Sequence, residues 1–72
     1  MTLQEFSKVA CDFWTLCGEK TFWENPRKIE LAKKAIGVSY LNVTEDIETA
    51  AIVYEAAMLN FTMRATYMGV EF

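Results

Sequence analysis

From Thr44 to Met68 the chain reads TEDIETAAIVYEAAMLNFTMRATYM, and this stretch decides the fold. Ile47, Ala50, Ala51, Tyr54, Ala57, Met58, Phe61, Ala65 and Met68 recur at short, helix-like intervals. That repeat places side chains on one face of an α-helix. No proline interrupts it. Thr44 stands where an N-cap is wanted, and Glu45, Asp46 and Glu48 crowd the positive end of the helix dipole. The spacing predicts a helix over 45–68, ~36 Å long if straight.

The same stretch carries a second apolar stripe. Ile52, Ala56, Leu59 and Met63 step by four, three and four residues, the spacing of a helix–helix seam. At ~100° per residue they fall well away from the Tyr54–Phe61 face. A helix that covers a small bundle needs only one such stripe. Regularly spaced exposed apolar side chains form a patch, and patches mark association sites. These four residues are therefore the expected interface. Ala56 allows close helix approach, Met63 adapts to an imperfect surface, and antiparallel two-fold pairing is the commonest way to satisfy such a face. The plainer alternative is that two shorter helices straddle the long one and cover both stripes.

Upstream lies Val38-Ser-Tyr-Leu-Asn-Val43, rich in β-branched and aromatic residues. A lone strand has nothing to pair with here. The expectation is an extended loop packing Tyr40, Leu41 and Val43 onto the bundle. As a strand it would need another chain. Residues 26–36 read as a second helix, with Ile29, Ala32 and Ile36 inward and Arg27, Glu30, Lys33 and Lys34 outward. Asn25 before Pro26 suits an N-cap followed by the first helical position, where the missing N–H does no harm. Residues 3–17 read as the first helix. Thr2 and Glu5 form a capping box, and Leu3, Phe6, Val9, Ala10, Phe13, Trp14 and Cys17 share one face. Gly18, Gly37 and Gly69 each follow a helical pattern, where a left-handed cap wants glycine.

Between the first two helices, Thr21 and Glu24 frame a single turn. Phe22 and Trp23 inside it are expected to plug one end of the core. Exposed, they would instead join Arg27, Lys33 and Lys34 as a contact site for a partner or ligand, since aromatics are enriched at interface hot spots. The reading is all-α: a small three-helix bundle with a long C-terminal helix, residues 1–72 forming a single helical domain.

A chain of 72 residues buries only about 60% of the surface its unfolded form exposes. Its core contributes roughly 3–5 kcal/mol of net stability. Small domains often add a metal, a disulfide or a partner. There is no His, and Cys11 and Cys17 are the only cysteines, whereas zinc takes about four N/S ligands. On one helix those cysteines sit ~9 Å apart along the axis and point ~120° apart. That exceeds the roughly 4.4–6.8 Å between Cα atoms that a disulfide tolerates. No metal and no cofactor are expected. Two free thiols fit a reducing, cytoplasmic setting. Self-association is left as the external source of stability.

Composition excludes other classes. Hydrophobic residues make up 53% of the chain, too many for a disordered segment. No uncharged stretch approaches the roughly 18 residues of a membrane span, and the N-terminal residues lack a signal-peptide layout. Asn42-Val-Thr44 and Asn60-Phe-Thr62 match the glycosylation triplet by chance, given that setting. Without His the commonest general base is missing, and no Ser or Cys has a neighbouring base, so no catalytic residue is assigned and an enzyme is not expected. Three carboxylates at a helix start serve capping and the dipole.

Net charge is −3, unevenly spread. Residues 19–36 carry five cations against three anions, and residues 37–72 carry Glu45, Asp46, Glu48, Glu55 and Glu71 against Arg64 alone. Ordinary solubility and dipole placement account for this; the sharper reading sets a basic face of one subunit against an acidic face of another. Nucleic-acid binding is the main rival class, resting on Arg27, Lys28, Lys33 and Lys34. Overall acidity argues against it, as does a gap over 37–44 longer than a helix-turn-helix allows. The functional expectation is a small soluble protein-interaction module, a self-associating regulator or inhibitor. The alternative is an oligomer that sequesters a phosphate-bearing ligand between subunits.

Overall fold

The computed structural model describes residues 1–70, and Glu71 of the acidic half lies outside them. Four helices follow in order: α1 Leu3–Cys17, α2 Lys20–Trp23, α3 Pro26–Leu41 and α4 Ile47–Tyr67. The architecture is all-α, and the described residues contain no strand. The three long helices are the expected bundle, and α2 is the single turn between the first two.

Local chemistry sets most of the boundaries. Thr2 Oγ1 accepts from the Glu5 N–H at 3.2 Å while Glu5 Oε1 accepts from the Thr2 N–H at 3.0 Å. This closes the capping box and starts α1. The Thr2 backbone donor, then its hydroxyl, holds the Glu5 carboxyl below its usual value. Asn25 Oδ1 accepts from the Arg27 and Lys28 N–H groups at 3.1 and 3.3 Å, with Pro26 at the first helical position. At the far end Gly69 takes φ +73°. The Val70 N–H reaches Ala65 O at 2.9 Å and the Gly69 N–H reaches Thr66 O at 3.1 Å, the paired bonds of a Schellman cap.

Two boundaries depart from expectation. First, α3 does not stop at Gly37 but runs on through Leu41, so residues 38–41 are helical rather than an extended loop or a strand. A glycine inside a helix costs only about 0.5–1 kcal/mol. The added turn delivers the Tyr40 ring onto Tyr54, parallel within 6° at 4.6 Å, and against Phe6 at 5.8 Å. Packing of that kind outweighs the glycine. Second, the N-cap of α4 is Asp46, in the left-handed region at φ 50°, not Thr44. Thr44 is engaged elsewhere: its N–H donates to the Met1 carbonyl at 3.0 Å, and the Met1 amino group donates to Asn42 O at 2.8 Å. The connection is thus residues 42–46 rather than 37–44. At five residues it comes nearer the roughly 3–4 of a helix-turn-helix, and Glu45, Asp46 and Glu48 stand exposed at its end and in the first turn of α4.

α1 and α4 run the same way, since Met1 meets Thr44 at one end and Phe13 stacks on Phe61 at 5.5 Å further along. α3 returns between them. The interface of α1 with α4 is the largest. Buried Ala10, Ala50, Ala57 and Ala65 let these helices approach closely. Phe22 and Trp23 close one end of the core, edge to face at 5.1 Å, with Trp23 5.3 Å from Phe61. The molecule measures 36 × 18 × 18 Å, so α4, ~31 Å long at its 21 residues, spans nearly all of it.

Candidate interaction surface

The core side of α4 is made by Ala50, Ala57, Phe61 and Ala65, all buried. Turned at ~100° per residue, Ile52, Ala56, Leu59 and Met63 fall within a ~60° sector on the opposite side of the helix. Their positions follow from the pattern of α4 itself. Once one face docks on α1 and α3, the other has no element left to cover it. Ile52 is 68% exposed, Leu59 62% and Met63 63%, and Ala56 is exposed between them. The plainer alternative, in which the shorter helices cover both stripes, is not what the fold adopts.

Beside the stripe, α1 and α4 frame an open groove of about 400 Å³. Trp14 and Cys11 line one wall, and Ile52 and Ala56 the other. Trp14 is 49% exposed, although its spacing suggested core. A helical wheel shows why: Trp14 lies roughly 80° from the centre of the Phe6–Phe13–Cys17 face. That offset was the available signal for a residue the repeat alone assigned inward. Ile47, also expected in the core, is 58% exposed at the first residue of α4.

The second group of candidate contact residues is not brought together. Phe22 and Trp23 are 2% and 6% exposed. They belong to the core and are withdrawn as contact residues. The Trp23 indole N–H is satisfied inside by Cys17 O at 2.9 Å. The Lys33 Nζ lies 5.8 Å from the centre of the Phe61 ring, a cation–π distance, so it turns toward the bundle. Arg27 and Lys34 do share a shallow depression, but with Glu30 and Leu31. Glu30 sets a carboxylate beside these cations, and Phe22 and Trp23 do not line the depression.

Reactive chemistry is sparse. Both cysteines are free thiols, Cys11 exposed and Cys17 buried. Burial pushes the Cys17 thiol from its usual 9.0 up to about 11, with Arg64 pulling the other way, which leaves it unreactive at neutral pH. No cluster of three or more His, Cys, Asp or Glu side chains suited to a metal occurs among the described residues. No helix there is long and apolar enough to cross a membrane. The outer stripe of α4, with Trp14 beside it, leaves apolar side chains exposed. Comparisons with protein families, with curated proteins and with solved structures found nothing that matches this chain.

Proposed function

We propose that this chain is a small protein-interaction module that self-associates through the outer stripe of α4 and acts as a regulator or inhibitor by binding another protein, working in the reducing cytoplasm that two free thiols suit. One observation carries the reading. Ile52, Leu59 and Met63 are each more than three-fifths exposed on the side of α4 away from the core. Burying such a side chain contributes roughly 1.5–3 kcal/mol, a large sum beside the stability a core of this size supplies.

The test is mass by light scattering across a concentration series. The native chain is expected to weigh as an oligomer. Leu59→Asp with Met63→Asp is expected to weigh as a monomer with unchanged helical circular dichroism, because both side chains lie outside the core. A native chain that stays monomeric at the highest concentration, or an aspartate variant whose mass does not change, overturns the reading.

A further inference from the structure

The outer stripe of α4 has a counterpart on α3. Leu31 and Val38, seven residues apart, are 56% and 48% exposed, and both lie on the side of α3 away from buried Ile29 and Ile36. Arg27 and Lys34, also seven apart and exposed, flank them. On α4 the exposed anions Glu48 and Glu55 flank Ile52 and Leu59 at the same spacing. At these four positions the two faces share one spacing, apolar for apolar, with the sign of the charge reversed.

We propose that the occupant of the α4 stripe is the outer face of α3 from a second copy of this chain. This rests on the self-association read above and names the surface that meets the stripe. Charge complementarity selects it. Pairing α4 with α4 brings no cation to Glu48 and Glu55, because the helix's one cation, Arg64, lies roughly 110° from the stripe. Pairing α3 with α3 sets Arg27 and Lys34 of each copy against the same two cations of the other, with Glu30 as the one anion among them. α3 against α4 sets apolar on apolar and offers both Arg27 and Lys34 an anion, Glu48 and Glu55, the arrangement that fixes register and disfavours wrong partners. Glu30, the anion beside Lys34, precedes it by four residues, a spacing at which opposite charges attract along one helix. The contact uses a different face of each copy. It therefore leaves an unused face at either end, and the assembly either closes into a ring or grows beyond two copies.

The experiment compares Lys34→Glu, Glu55→Lys, the double charge swap and Leu59→Asp by sedimentation equilibrium, with circular dichroism to confirm folding. Each single swap is expected to raise the dissociation constant about tenfold, and the double swap to return it to within about threefold of native. Single swaps without effect, or a double swap that fails to restore association, overturn the α3 assignment. If Leu59→Asp still dissociates the oligomer in that case, the stripe stands and only its occupant is wrong. A Leu59→Asp variant of native mass defeats both.

Discussion

The indole N–H of Trp23 donates to the carbonyl oxygen of Cys17 at 2.9 Å, out of contact with water. That carbonyl lies in the last turn of α1, where helix acceptors have no partner within the helix. The single turn of α2 therefore does two things: it seats an aromatic plug against Phe61 and caps α1 from the side. Trp23→Phe keeps most of the ring and strands the acceptor. The expected cost is about 1–3 kcal/mol, read as a lower denaturation midpoint. Trp14, half exposed, would then be the only indole left, and the folded-state fluorescence is expected to shift to the red.

Gly37 sits inside α3 rather than at its end. A methyl group added there meets nothing closer than the Tyr54 hydroxyl at 3.9 Å, an ordinary contact. Gly37→Ala is therefore expected to stabilise the chain by about 0.4–1 kcal/mol, chiefly by restricting the unfolded state. Thermal melting measures it. A loss of stability would place Gly37 at a left-handed helix end instead, as the sequence pattern first suggests.

Asp46 holds φ 50° and ψ 45° ahead of α4 and makes no side-chain capping bond. Asp and Asn tolerate this region better than other non-glycine residues, and a β-branched side chain does not. Asp46→Asn is expected to leave stability nearly unchanged, whereas Asp46→Val should cost about 1–2 kcal/mol. Equal melting temperatures for the two variants would argue against the left-handed conformation.

Cys17 and Cys11 differ in access and in proton affinity. A maleimide reagent at neutral pH is expected to label exposed Cys11 promptly and Cys17 only when the chain unfolds. Burial raises the Cys17 thiol to about 11 from 9.0. Below pH 9 the thiol is protonated in both the folded and the unfolded chain, and its contribution is complete. Between 9.0 and about 11 the unfolded thiol ionises first, so stability falls with rising pH. The loss is about 2–3 kcal/mol at most. Unfolding titrations of the native chain and Cys17→Ala over this range should diverge; parallel curves would remove Cys17 as the cause.

Much of the fold is legible before any coordinates. The caps at Thr2 and Glu5 and at Asn25 and Pro26 use side-chain atoms within three residues of the backbone they serve, and so they are local. The helical class and both stripes of α4 follow from periodicity, which is local too. The exposure of the outer stripe was not settled that way, because two shorter helices straddling the long one would have covered it; the tertiary arrangement leaves it open.

The rest was decided by contacts between residues distant in sequence. Whether Gly37 ends a helix depends on Tyr40 finding Phe6 and Tyr54. Whether Thr44 caps α4 depends on its N–H and hydroxyl, both of which donate to the Met1 carbonyl 43 residues away. The exposure of Ile47, at the first residue of α4, likewise does not follow from its place on the helical wheel. In each case local preference is worth a kcal/mol or less, about the size of one aromatic contact or one hydrogen bond. Periodicity therefore settles which segments are helices, and tertiary packing settles where they end and which borderline side chains meet water.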